Sequence, residues 1–194
     1  KKMKFRALLC TALVLALSTS AGWASEAMWK TYIKSAKEMD DVGNYGEASK
    51  FYAFALKEAE GFGETDPRFL TTLRAVAETY DSDAKYSLSE PAYKRLLDIY
   101  EKNPQQNRMN IAWCLKGLAG GYASQARFDE ALALQKQVLE MVTAETGPNS
   151  RNVAIALDAL GRTNAVQGKY ADALPLHEKS LSILANLAQS EKDP

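Results

Sequence analysis

Three stretches of the sequence align on an aromatic residue near their start: SDAKYSLSEPAYKRLLDIY at 82–100, SQARFDEALALQKQVLEMV at 124–142 and VQGKYADALPLHEKSLSIL at 166–184. The aligned aromatics are 42 residues apart both times: Tyr86, Phe128 and Tyr170. A fourth stretch, VGNYGEASKFYAFALKEAE, has Tyr45 in the same place, 41 residues before the first of these. A period of this length is typical of architectures in which each repeat packs on the next. The sequence therefore predicts four repeats.

The segment before each aromatic also repeats, with apolar positions at helical offsets of 3, 4 and 7. Small residues occupy two equivalent positions in every repeat: Ala36, Ala77, Ala119 and Gly161, then Ala48, Ser89, Ala131 and Ala173. Helices approach to about 8–10 Å where their contact side chains are small. Each repeat is therefore predicted to be two antiparallel helices joined by a short turn. We expect the aromatic to fill the gap that the close crossing leaves.

Turn and cap residues predict where the repeats begin and end. Asp66-Pro67 is typical of a helix start, with an N-cap followed by proline at the first helical position. Pro91 and Pro175 lie at the same register and are expected in the first turn of a second helix. The predicted repeats cover about residues 27–65, 66–107, 108–149 and 150–188, followed by a tail at 189–194. The predicted fold class is all-α.

Two repeats carry a recognisable pattern: Leu115-x2-Leu118-Ala119-x2-Tyr122 with Ala131, and Leu157-x2-Leu160-Gly161 with Ala173. This pattern resembles the tetratricopeptide repeat, W-x2-L-G-x2-Y followed by A. The period near 42, instead of 34, is similar to the kinesin light chain variety. The resemblance implies an α-solenoid of about four helix-turn-helix repeats in a right-handed superhelix. It also implies a concave groove, lined by the first helices, that binds a protein or peptide segment.

The face of each first helix left free by the packing positions supplies candidate groove residues. They are Lys30, Ile33, Lys37, Arg74, Glu78, Trp113, Lys116, Ile155, Asp158 and Arg162. Basic members can hold carboxylates, and Trp113 and Ile155 can hold apolar side chains, as aromatic and arginine anchors do in interfaces. The alternative is that the charges form a solvated face and that Trp113 belongs to the core.

Residues 1–24 have the features of a secretory signal peptide: four basic residues among the first six, an apolar run and small residues up to Ala24. Cleavage after Ala24 leaves 20 basic and 24 acidic residues, a net charge of about −4. Nucleic-acid binding needs a concentrated positive surface, which this composition does not favour. We expect an exported protein, periplasmic or secreted, with membrane anchoring by an uncleaved signal as the alternative.

Catalytic and metal-binding residue types are scarce. His177 is the only histidine, and Cys114 is the only cysteine after residue 24, so the usual zinc cage cannot form. No hydrolase, phosphate-loop or zinc-protease motif occurs. We expect no enzyme activity, no cofactor and no metal. The predicted function is an exported adaptor that binds a protein or peptide. The alternative is a self-associating structural or accessory subunit of an envelope complex, with a homodimer formed through the uncapped last repeat.

Overall fold

The computed structural model describes residues 25–190 of the 194-residue chain. The predicted signal peptide at residues 1–24 lies outside the described residues. Eight α-helices occupy the described part: α1 25–41, α2 Tyr45–Ala59, α3 Pro67–Ser82, α4 Tyr86–Tyr100, α5 Pro104–Ser124, α6 Phe128–Thr146, α7 Arg151–Val166 and α8 Tyr170–Ser190. A 3-10 turn, Glu60–Phe62, follows α2, and residues 25–190 contain no strand. The all-α prediction is confirmed, although α8 extends two residues into the predicted tail.

The chain divides into two compact units, Lys1–Asp83 and Ala84–Pro194. The described residues of the N-terminal unit form α1 to α3, and those of the C-terminal unit form α4 to α8. In the C-terminal unit each helix packs on the next along the chain. Among the described helices, none combines the length and the apolar character needed to cross a membrane.

One turn geometry sets the start of every second helix. Each of α2, α4, α6 and α8 begins at the repeated aromatic, and two residues earlier the backbone has positive φ: Gly43, Ala84, Ala126 and Gly168. In the α5–α6 turn the amide of Arg127 donates to the carbonyl of Tyr122 at 2.9 Å, and the α1–α2 and α7–α8 turns have the same six-residue closure. This left-handed cap ends one helix and reverses the chain.

The small residues predicted at the helix contacts are all buried. Ala36, Ala48, Ala77 and Ala131 have no exposed area, and the other four are nearly as enclosed. Their burial supports the predicted close approach of the helices.

The repeated aromatics are not all buried in the gap, contrary to expectation: Tyr86 and Phe128 are half-buried, but Tyr45 is 36% exposed. Tyr170 is 70% exposed because the first residue of a second helix lies at the hairpin turn, where few neighbours surround it. In α4 and α8 the gap is filled seven residues later, two turns into the helix. Tyr93 packs on Gly117 of α5, and His177 packs on Gly161 of α7.

The two prolines lie one turn deeper than predicted. Pro91 and Pro175 are each the sixth residue of their helix, α4 and α8. A proline at this position has no N–H to donate to the carbonyl of the residue four positions earlier in the helix. Ser87 and Ala171, whose carbonyls lose that donor, are both exposed, so water can supply the missing hydrogen bond.

Candidate functional site

The C-terminal unit has a groove between α5 and α7, with α6 as its floor. One end is an apolar pocket of about 150 Å³, lined from the three helices by Met109, Trp113, Val138, Val142 and Ile155. A wider cavity of about 640 Å³ adjoins it, shares Lys116 and Ile155 with it, and continues to Arg162. Together these two cavities form the α5–α7 groove.

The groove exists because α6 lacks the ring that its neighbours carry. At the register of Tyr93 in α4 and His177 in α8, helix α6 has Gln135. The Gln135 Nε2 donates to Thr163 Oγ1 of α7 at 2.9 Å, and that hydroxyl donates to the Ala159 carbonyl at 3.1 Å. A narrow amide thus connects α6 to α7, and the volume above it stays open.

A charged cluster fixes α4 to the turn that follows α5. Glu90 of α4 accepts hydrogen bonds from the Tyr122 hydroxyl and from Arg127, both at 3.1 Å. The Arg127 guanidinium also lies 3.7 Å from the centre of the Tyr122 ring. Hydrogen bonds from Lys94 first, then Tyr122 and Arg127, lower the pKa of Glu90, although its partial burial opposes them. The cluster holds the end of α5, and hence one wall of the groove, in place.

Four predicted residues of this unit meet in the groove: Trp113, Lys116, Ile155 and Arg162. Trp113 is half-buried, with its ring centre 5.2 Å from that of Tyr93, so it belongs partly to the core and partly to the groove. Ile155 is 47% exposed.

Asp158 does not line either cavity. Its carboxylate lies 3.3 Å from the Nε of Arg162 and 2.9 Å from the Nδ1 of His177. It therefore orients Arg162 at the edge of the groove.

The predicted residues of the N-terminal unit are not gathered into an apolar groove. Lys30, Ile33 and Lys37 lie on α1, where Lys30 pairs with Glu26 at 2.8 Å. On α3, Arg74 lies 3.5 Å from Glu78. Both i,i+4 pairs are exposed to solvent.

Glu78 lines a polar cavity of about 260 Å³. It is shared with Asp40 and Tyr52, whose side chains are hydrogen-bonded. Burial and then Asp41 raise the pKa of Asp40, while burial and Asp40 raise the pKa of Tyr52 to about 12. The lining of this cavity combines three carboxylates, Asp40, Asp41 and Glu78, with the rings of Tyr45 and Tyr52, so the cavity is acidic.

Sequence reasoning missed several residues of the groove: Met109, Gln135, Val138, Val142 and Asn152. Met109 and Asn152 could have been found by extending the helical spacing one turn upstream from Trp113 and Ile155. The α6 residues gave no signal, since second helices were assigned to packing alone.

Residues 108–186 match the family model described as tetratricopeptide repeat. The match lies within the last two predicted repeats. No curated protein sequence matches the chain. The solved structures to which the chain is similar confirm the predicted solenoid fold class.

The nearly identical TPR-like repeats of a protein described as a kinesin light chain, from Podosopora anserina, share 16% identity with a TM-score of 0.69, covering 82% of this chain and 76% of that one. BtubC (BKLC) from P. vanneervenii shares 21% identity with a TM-score of 0.68, covering 87% and 72%. Aspartyl phosphate phosphatase F from Bacillus subtilis shares 17% identity with a TM-score of 0.78, covering 92% of this chain but 46% of that one. At these identities the likeness establishes the fold alone.

Proposed function

We propose that this protein is an exported adaptor that binds a segment of another protein in the α5–α7 groove. The observation that carries the proposal is the shared pocket of Trp113 and Ile155, continuous with a cavity that Lys116 and Arg162 line. Such a surface offers an apolar anchor site beside two cations. A partner segment with an apolar side chain near an acidic residue fits both parts.

The energetics favour a modest but specific interaction. Burying one leucine-sized side chain contributes about 1.5–3 kcal/mol. Aromatic and arginine residues commonly dominate protein interfaces, and a few of them carry most of the binding energy. A groove already formed between packed helices adds little ordering cost when the partner binds.

Export is proposed from residues 1–24, whose basic, apolar and small-residue order is that of a signal peptide. The resulting excess of acidic residues supports a protein partner over a nucleic acid. N-terminal sequencing of the exported chain tests this part. A start at Ser25 supports it, and a retained leader on a membrane-bound product contradicts it.

Groove binding is tested with peptides selected from a displayed random library, whose dissociation constants are then measured in solution. Ile155→Glu, in the pocket, should weaken the selected peptides by at least about tenfold, because it places a charge in an apolar site. Leu88→Glu is the matched control: Leu88 is 46% exposed on α4, against 47% for Ile155 on α7. Equal losses for both variants, or none for Ile155→Glu, would contradict the proposal.

A further inference from the structure

Within residues 25–190, helix α8 has an apolar stripe that no other helix covers. Tyr170, Leu174 and Leu181 are 70%, 60% and 69% exposed, and their spacing of four and seven residues places them on one side of the helix. The residues at the register of Leu181 in α4 and α6, Leu97 and Leu139, are only half-exposed. There α5 packs on α4 and α7 packs on α6. The stripe is thus the surface on which another helix fits.

Helix α1 of a second copy is not suited to cover this stripe. On α1, Lys30 pairs with Glu26 and Lys34 pairs with Glu38, with Lys34 79% and Glu38 58% exposed. Placing these charges on an apolar stripe would remove them from water without new partners, which is costly. Head-to-tail addition of α1 from one copy to α8 of another is therefore disfavoured.

The stripe is instead complementary to itself. Six residues alternate at steps of four and three, as in the seam of a coiled coil: Tyr170, Leu174, His177, Leu181, Leu184 and Ala188. When two copies of α8 pair antiparallel, with Lys179 at the centre of the pairing, three kinds of side-chain contact form between the copies. Tyr170 meets Ala188, Leu174 meets Leu184, and His177 meets Leu181. Tyr170, the largest of these side chains, lies opposite Ala188, the smallest, so the distance between the two helices stays nearly constant.

We propose that α8 pairs antiparallel with α8 of a second copy and that the protein forms a closed two-fold dimer. A two-fold contact of this kind uses the same surface on both copies and therefore stops at two. It involves none of the residues of the α5–α7 groove, so it goes beyond the proposed binding function. Each dimer then presents two grooves.

The size of the stripe sets the expected strength. A helix of 21 residues is about 32 Å long, and a strip about 10 Å wide covers roughly 300 Å² per copy. Stable interfaces bury about 800 Å² per partner. The stripe is smaller than that, so we expect a weak, reversible dimer.

Sedimentation equilibrium of the exported chain from about 1 to 300 µM tests the dimer. The mean mass should rise with concentration and level off at twice the monomer mass. Leu181→Glu should weaken the dimer by at least about tenfold, with its circular dichroism unchanged because the side chain is already exposed. Val42→Glu is the control, since Val42 is 72% exposed and belongs to the N-terminal unit, whereas α8 belongs to the C-terminal unit. It should dimerise as the unchanged protein does.

Cross-linking tests the antiparallel register. A Leu174→Cys copy mixed with a Leu184→Cys copy should form a disulfide-linked pair far faster than either copy alone. Cys114 is fully buried and does not compete. Four results would each overturn the proposal: a monomer mass at 300 µM, a mass that grows beyond two copies, a Leu181→Glu dimer as strong as the control, or no preference for the mixed cross-link.

Discussion

Replacing Gly117 of α5 with alanine places a methyl group inside the ring of Tyr93. A Cβ at this position lies 2.2 Å from the Tyr93 Cζ and 2.4 Å from its Cε1, whereas carbon atoms in contact are about 3.5–4.0 Å apart. The ring must therefore move by more than about 1 Å. Tyr93 is only 3% exposed and packs against Trp113, so it has little room to do so.

Two opposing effects decide the sign. Overpacking a buried site costs about 1–3 kcal/mol, and a forced shift of this size belongs at the upper end. Alanine gains about 1 kcal/mol over glycine in a helix interior. Gly117→Ala should therefore lower the free energy of unfolding by about 1–2 kcal/mol. Gly120→Ala, in the same helix, meets no atom within 4 Å and should raise it by up to about 1 kcal/mol.

Guanidinium unfolding followed by circular dichroism measures both changes. A third variant, Tyr93→Leu, removes the ring, and Gly117→Ala added to it should be neutral or stabilising. That reversal separates the predicted collision from any general intolerance of α5 to substitution. If Gly117→Ala stabilises the protein as much as Gly120→Ala does, the packing described for α4 and α5 is wrong.

Three further changes have defined outcomes. Asp66 caps α3 and accepts hydrogen bonds from Arg68, and these bonds lower the pKa of Asp66 from 3.8 to about 2. The ionised Asp66 therefore stabilises the protein fully above about pH 4, and this stabilisation is lost as the pH falls towards 2. Asp66→Asn keeps a cap without the charge and should make the fall in melting temperature between pH 4 and pH 2 shallower; an unchanged slope would exclude this pairing. Ala126→Gly relieves a residue held at φ 60° and should stabilise by up to about 1 kcal/mol in chemical unfolding, whereas a loss would show that the turn is not strained. Gln135→Met removes a buried oxygen that has no hydrogen-bond partner within residues 25–190, while Thr163 keeps the bond to its own helix. The free energy of unfolding should stay equal or rise. A fall of more than about 1 kcal/mol would mean that the hydrogen bond from the Gln135 amide to Thr163 of α7 stabilises the protein more than the unpaired oxygen destabilises it.

The helical hairpins were predictable because their signals repeat. A small residue at each contact and an aromatic at each second-helix start recur at nearly constant spacing. Two of the turns have glycine at the position of positive φ, Gly43 and Gly168. Ala84 and Ala126 adopt the same left-handed conformation without any sequence signal, because alanine is ordinarily found elsewhere.

The groove was predictable only in part. Helical spacing identified Trp113 and Ile155, because residues of a first helix that are not on its packing face lie on the face that is left free. It could not reveal the pocket between them, which depends on Gln135 replacing a ring in a different helix. Nor could spacing show that Arg74 pairs with Glu78 in the N-terminal unit.

Hydrogen exchange with a tightly bound selected peptide tests the groove most directly. Exchange should slow in both walls, at residues 109–120 and 152–163, and remain unchanged along α8. Protection confined to the N-terminal unit or to α8, with both walls exchanging as in the free protein, would contradict the assignment of the α5–α7 groove as the binding surface.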